Sequence, residues 1–146
     1  MNTLRFTTTI NAPKERVWSA MLDDKTYREW TSAFSDGSYY EGGWKEGSKI
    51  LFLSPGGNGM SARIAENRPY EFISIEVVGF VQNGAEDTAS EGARAMAGAH
   101  ENYTFSESDG VTTVEVDTDT SEEYRAMFEE SWPKALKKLK ELCEQG

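Results

Sequence analysis

The side chains that would announce catalysis are few in this chain of 146 residues: one histidine, His100, one cysteine, Cys143, and a carboxylate beside the histidine, Glu101. Acid–base chemistry needs groups whose protonation and geometry fit a reaction. Tyr103 and Phe105 share the face of Glu101 in an alternating pattern, so if the rings point inward Glu101 does too, and His100 points out. Glu101 is then the polar group expected inside a pocket. Burial would raise its pKa unless Arg63, Arg94 or a ligand pairs it, the alternative being a carboxylate at a cavity rim in contact with water. His100 reads as an exposed residue at a strand start. Cys143 reads as a bystander on the last helical turn, with no basic neighbour placed to lower its pKa. No residue is assigned a catalytic role.

Metal and cofactor chemistry find no better support. There is no His/Cys pair at ligand spacing, and Asp117 and Asp119, alternating with threonines, read as a solvated strand face. The glycine-rich run Ser54-Pro55-Gly56-Gly57-Asn58-Gly59 lacks the Lys-Ser/Thr and helix of a phosphate cradle, so it reads as a hairpin turn. No metal or cofactor is expected.

What remains is a set of rings and thioethers. Met21 belongs to that set, and such residues most often make ordinary core. A sheet wrapped on a helix with bulky residues at its open end leaves a void, however, and concave apolar pockets with few polar groups bind small hydrophobic molecules. The candidate ligand-binding residues are Trp18, Trp30, Phe34, Trp44, Phe52, Met60, Glu101, Tyr103, Met127, Phe128 and Trp132.

The elements that must position them can be read from periodicity. Leu4, Phe6, Thr8 and Ile10 alternate with polar residues as in a half-buried strand. Pro13 suits the first position of a helix that places Val17, Ala20 and Met21 on one face, with Trp18 and Leu22 beside them. A second short helix over Lys25 to Trp30 adds Tyr27 and Trp30 to that side. Strands are expected over Gly37 to Glu41, Lys49 to Leu53, Gly59 to Glu66 and Tyr70 to Phe80, separated by turn signals at hairpin spacing. Ile50 and Phe52 point inward, as do Met60, Ala62 and Ile64, and in the fourth strand the β-branched set Ile73, Ile75 and Val77.

Residues 81 to 98 read as one long connection, and such loops tend to be lids or binding elements. Thr88 with Glu91 forms a capping-box pattern that predicts a short, weak helix over Ala89 to Ala97 ending at Gly98. Strands Ala99 to Ser106 and Val111 to Thr118 follow, joined through Ser108-Asp109-Gly110, with Thr112, Val114 and Val116 inward. The final helix, Glu122 to Glu144, carries Tyr124, Met127, Phe128, Ser131, Ala135, Leu139 and Leu142 on one face, with Trp132, Leu136 and Cys143 alongside and Pro133 inside the pattern.

Composition bounds the partners. Lys and Arg number 15 against 25 Asp and Glu, a net charge of −10, and such a field repels nucleic-acid phosphates and anionic lipid surfaces. No apolar run is long enough to span a bilayer, no signal-peptide pattern is seen, and a lone cysteine allows no internal disulfide. The expectation is a single domain over 1–146, cytoplasmic, monomeric or a weak homodimer through exposed strand edges.

The first strand, Ala12-Pro13, Val17-Trp18, Leu22-Asp23, Tyr27 and Trp30, then Gly43-Trp44-Lys45-Glu46-Gly47-Ser48 leading into Ile50 and Phe52, then a terminal helix with Trp132 and Leu136, resembles the START-like or SRPBCC superfamily. Within it the chain is similar to the bacterial proteins named after the C-terminal domain of the heat-shock-protein-90 ATPase activator. The resemblance runs over essentially the full length. It implies an α+β helix-grip fold: a curved antiparallel sheet wrapped around a long C-terminal helix, with two short N-terminal helices and an apolar cavity between. That frame hosts lipid carriers, hormone receptors, polyketide cyclases and co-chaperone domains. The function expected first is a small soluble binding protein holding a hydrophobic or amphipathic small molecule. The alternatives are a cyclase- or hydrolase-like enzyme using a pocket carboxylate, or a co-chaperone-like domain with a chaperone partner, which a net charge of −10 disfavours.

Overall fold

The computed structural model describes residues 1–145. In chain order the elements are β1 (Asn2–Ile10), α1 (Lys14–Leu22), α2 (Asp24–Trp30), a 3-10 turn (Thr31–Ala33), β2 (Tyr39–Gly42), β3 (Lys49–Ser54), β4 (Asn58–Arg68), β5 (Phe72–Gln82), β6 (Ala85–Asp87), α3 (Glu91–Met96), β7 (His100–Ser108), β8 (Val111–Thr120) and α4 (Glu122–Glu144). All strands belong to one antiparallel sheet in the order β1-β8-β7-β5-β4-β3-β2, with β6 paired to β5 beside this path. This is the helix-grip architecture. Register shifts between β4 and β5, at Ser61/Ala62 and Ile64/Glu66, put extra residues into one strand and increase local bend and twist. The bent sheet closes over α1, α2 and α4.

The alternation read from sequence is the reason the sheet has an apolar face. Ile10, Ile50, Ala62, Ile64, Ile73, Ile75, Val77, Tyr103, Phe105, Thr112, Val114 and Val116 are buried, as their period of two requires. Opposite them α1 contributes Val17, Met21 and Leu22, and α4 contributes Ser131, Trp132, Ala135, Leu136, Leu139 and Cys143. The outer face is laced by ion pairs such as Arg5–Asp117 (3.1 Å) and Arg68–Glu66 (2.8 Å). Both lie in water, where such pairs add little.

Several expectations are corrected. Pro13 is the N-cap of α1, not its first helical residue: its backbone is extended (φ −68°, ψ 155°) while its carbonyl accepts from the N–H groups of Arg16 and Val17. Tyr70 precedes its strand; it adopts φ 66° in the turn, and β5 starts at Phe72. Residues 81–98 are not one long connection. β5 continues to Gln82, Asn83 and Gly84 take φ 51° and 81°, and β6 returns along β5, which is what two consecutive positive φ values do in a two-residue hairpin. The helix after it is capped by Ser90 and not by Thr88: Ser90 Oγ accepts from the Ala93 N–H at 3.2 Å. Asp87 Oδ1 accepts from the Ala89 and Ser90 N–H groups just before it. The apolar face of α4 runs as the spacing predicts, and at its N-terminal end Tyr124 and Met127 remain 40% and 44% exposed. Among the described residues no helix is long and apolar enough to cross a membrane.

Candidate functional site

The corner between α1 and α2 decides which rings face inward. Asp23 has extended backbone (φ −66°, ψ 141°) and ends one helix while opening the next. The exposed turn frees the Leu22 carbonyl, which accepts from both Tyr40 Oη (2.7 Å) and Trp44 Nε1 (3.0 Å). Trp30 Nε1 donates to the Met21 carbonyl at 3.1 Å. With their polar atoms satisfied, these rings are fixed in orientation, and Tyr27, Trp30 and, past the 3-10 turn, Phe34 are turned toward the sheet. On the far side Trp132 of α4 packs against Trp30, Phe34 and Tyr103 at ring-centre separations of 5.9, 4.9 and 6.2 Å.

Between these surfaces lies a pocket of about 580 Å³. Its walls are Tyr27, Trp30, Thr31, Phe34 and Ser38 from the α2 side; Phe52 of β3; Asn58, Gly59 and Met60 of β4; Phe80, Val81 and Gln82 of β5; Met96 of α3; Glu101 and Tyr103 of β7; Thr120 of β8; and Tyr124, Met127, Phe128 and Trp132 of α4. The β3–β4 hairpin can form this wall because Gly59 sits opposite Leu53, where a Cβ would collide with the Phe52 carbonyl.

The structure brings together all the sequence-predicted site residues except Trp18 and Trp44. Trp18 lies outside the pocket against Phe105 and Tyr70, at 5.2 and 5.8 Å. Trp44 covers Tyr40 and Phe52 from behind, at 5.3 and 5.8 Å. Sequence reasoning passed over Tyr27, Phe80, Met96, Thr120 and Tyr124. Signals existed: Tyr27 shares the side of Trp30, Tyr124 is on the apolar face of the last helix, and Met96 is the one large apolar residue of α3.

Among the described residues Glu101 is the only acidic side chain in the lining, and no lining residue is basic. Its Oε2 accepts from Tyr103 Oη at 2.5 Å and its Oε1 from Thr118 Oγ1 at 3.4 Å. Burial raises the pKa of Glu101, and these two hydrogen bonds offset part of that rise. Tyr103 is also pushed up, by burial first and then by the neighbouring Glu101 charge; the same two causes act on Tyr27. Both phenols therefore remain protonated donors. Neither arginine considered as a partner of Glu101 fills that role: Arg63 pairs with Glu76 and Arg94 is exposed. Two further lining residues carry buried polar atoms without a hydrogen-bond partner, Trp132 Nε1 and Thr120 Oγ1.

The remaining candidates sit elsewhere. His100 is half-buried at the start of β7, its backbone N–H donating to Asp119 Oδ2 at 2.9 Å. Cys143 is buried away from the pocket, and burial pushes its thiol up to about 11, so it is an un-ionised and unreactive group at neutral pH. Among the described residues no group of three or more His, Cys, Asp or Glu side chains is placed to hold a metal ion. Chemically the arrangement is an aromatic chamber with one carboxylate and phenolic donors.

The fold is shared with solved structures. The chain is similar to protein MLL2253 from Mesorhizobium loti, with 14% identity and a TM-score of 0.75 over 97% of this chain and 96% of that one. It is similar to the Aha1 dimer from Colwellia psychrerythraea, with 18% identity and a TM-score of 0.75 over 100% of this chain and 98% of that one. CalU16 from Micromonospora echinospora matches with 20% identity and a TM-score of 0.65, over 97% and 74% of the two chains. At such identities the likeness is one of fold. Among curated proteins none matches the sequence. The family model described as "Activator of Hsp90 ATPase homolog 1-like protein" matches residues 11–144, and with the helix-grip frame in place over that same span the chain belongs to this family.

Proposed function

We propose that this protein holds an apolar or amphipathic small molecule in the chamber between the sheet and α4. The observation that carries the reading is the pocket itself: about 580 Å³, walled by rings and thioethers from α2, β3, β4, β7 and α4, with a single ionisable acid. Ligand sites are typically apolar hollows of roughly 300–1,000 Å³ with a few placed polar groups. Burying a ring-sized ligand there adds roughly 25 cal/mol for each Å² of apolar surface removed from water. The lone buried thiol fits a reducing cytoplasm. The protein acts as a monomer or weak homodimer, and the dimer named for the Colwellia relative supports the second form.

A second reading rests on Glu101. A carboxylate whose pKa is raised by burial suits a general acid, and an enzyme of the cyclase or hydrolase kind would use it on a substrate seated in the same chamber. The binding reading ranks first because Glu101 is hydrogen-bonded only by a phenol and a threonine hydroxyl, and among the described lining residues there is no histidine, cysteine or second acid to work with it. A chaperone-activating role would act through the outer surface and would not depend on the chamber.

The test uses a neutral apolar dye, Nile red, whose fluorescence rises in an apolar site, together with thermal denaturation. The dye is expected to bind and to raise Tm. Met127→Asp, a change at an exposed position on the pocket rim, should weaken binding about tenfold by placing a charge where the ligand is desolvated, with little loss of Tm. Failure of the dye to bind or stabilise, or an unchanged affinity in Met127→Asp, would remove the chamber as the functional site.

A further inference from the structure

The polar side of the chamber is asymmetric in charge, and this asymmetry selects among amphipathic ligands. Glu101 is its one ionisable acid, and Lys, Arg and His are all missing from the lining among the described residues. Tyr27 packs on Trp30 (5.5 Å between ring centres), Trp30 on Trp132 (5.9 Å) and Trp132 on Tyr103 (6.2 Å). Tyr103 then donates to Glu101 Oε2, while Tyr27 lies near enough to be influenced by the Glu101 charge. A chain of four rings thus runs from Tyr27 to Tyr103, whose hydroxyl meets the carboxylate. Glu101 Oε1 is held only by a long contact, 3.4 Å, from Thr118. A carboxylate has about four acceptor positions, so this oxygen has capacity for a donor from a ligand.

Ring faces carry negative potential and attract cations, most strongly where water is excluded. A carboxylate among them, inside a molecule of net charge −10, adds to that attraction at short and long range. A ligand carboxylate or phosphate would meet Glu101 with no cation to offset it. We infer that the ligand of this pocket is an organic amine: an apolar, ring-bearing or branched body carrying an ammonium group that hydrogen-bonds Glu101 Oε1 and lies against the rings of Tyr27, Trp30, Trp132 and Tyr103.

The inference rests on the binding reading above and makes it more specific. It also carries a proton balance. Burial raises the pKa of Glu101 in the free protein, and a seated ammonium lowers it, so below and within the Glu101 titration the bound proton is released to solvent as the ion pair forms. The other titratable groups of the chamber are Tyr27 from α2, Tyr103 on the strand of Glu101 and Tyr124 from α4, all phenols. Across the pairings Glu101 faces Ile75 on β5 and Thr118 on β8, which do not titrate. Amine affinity should therefore rise with pH through the Glu101 titration until the amine itself loses its proton.

The experiment compares three probes of one shape, naphthylmethylamine, naphthylmethanol and naphthoate, by isothermal titration calorimetry at moderate salt, with the wild-type chain and Glu101→Gln. The amine should bind about tenfold tighter than the alcohol, as expected for a charge-assisted bond at a half-buried carboxylate, and naphthoate weakest. In Glu101→Gln the amine's advantage over the alcohol should fall to about threefold or less, what the rings alone supply. On the wild-type chain, amine affinity should climb as the pH is raised from below the ordinary carboxylate range through the Glu101 titration while alcohol affinity stays level, with proton release in that range visible as heats that depend on the buffer. This second measurement decides the matter without the variant should Glu101→Gln fail to fold. Equal binding of amine and alcohol, tighter binding of naphthoate, an amine preference that survives Glu101→Gln, or pH-independent amine binding would each overturn the amine assignment while leaving apolar binding in place. Failure of all three probes to bind would remove both.

Discussion

Glu101 stands on β7 between Ile75 of β5 and Thr118 of β8, where a charged carboxylate gives up water for one phenolic hydrogen bond and one long threonine contact. Burial outweighs those bonds, and its pKa lies above the ordinary value of 4.5. A carboxyl group that binds its proton more tightly in the folded chain than in the unfolded one makes stability fall as pH rises between the two pKa values, and the loss is complete above the higher of them. Glutamine keeps the shape and removes the titration. Glu101→Gln should therefore be more stable than the wild-type chain at neutral pH by a few degrees in Tm, with the difference shrinking toward zero as the pH is lowered past the ordinary carboxylate range. Thermal unfolding of both proteins across that range checks this. A Glu101→Gln protein that melts below the wild-type chain at neutral pH would mean that the Tyr103 and Thr118 hydrogen bonds outweigh desolvation.

At the scale of elements, the flap made of the β5–β6 hairpin and α3 is held by a few polar contacts at its base. Glu86 of β6 bonds Lys49 and Ser61 across the sheet edge, which lowers its pKa, and Ser90 caps α3 with help from Asp87. The apolar hold is slight: Ala93 and Met96 are the buried residues of α3. Ser90→Ala should cost about 1 kcal/mol of local stability, so hydrogen exchange of the α3 amides, measured by mass spectrometry, should speed roughly fivefold while β1 and β8 stay unchanged. Equal acceleration everywhere would mean that α3 opens only when the whole domain unfolds. The same flap marks where sequence reading ran short. β1, β7 and β8 were legible because one of their faces is dry and the other wet, so alternation reports it directly. The flap is short and wet on most sides, so its signal lay in the φ > 0 demand of Asn83-Gly84 and in Ser90, and the more familiar Thr88…Glu91 pattern misdirected the cap. The chamber was legible in kind and in most of its members. Trp18 and Trp44 were misplaced because residue type states that a ring is buried, and only the bend at Asp23 and the contacts of Tyr40 and Trp44 with the Leu22 carbonyl state on which side of the wall it lies.

Over the whole molecule the interior divides into a packed end and a hollow end. Ile10, Val17, Val114, Leu139 and Cys143 fill the first, where α1 and the second half of α4 meet β1 and β8; the chamber occupies the second, roofed by the first turns of α4 and by α3. Close packing makes the first end intolerant of lost volume, whereas a chamber that already contains space transmits little of that strain. Leu139→Ala, at a fully buried site outside the chamber lining, should cost roughly 2–5 kcal/mol, a large share of the 5–15 kcal/mol typical of a domain. Below its new melting temperature the folded variant should still bind Nile red within about twofold of wild-type affinity, because sites without shared partners contribute independently. Met127→Asp is the opposite case, with affinity lost and Tm kept. Urea denaturation paired with dye titration on both variants reads the two quantities separately. If affinity and stability fell together in Leu139→Ala, the two ends would be one cooperative core, and the hollow would be a packing defect and not a site.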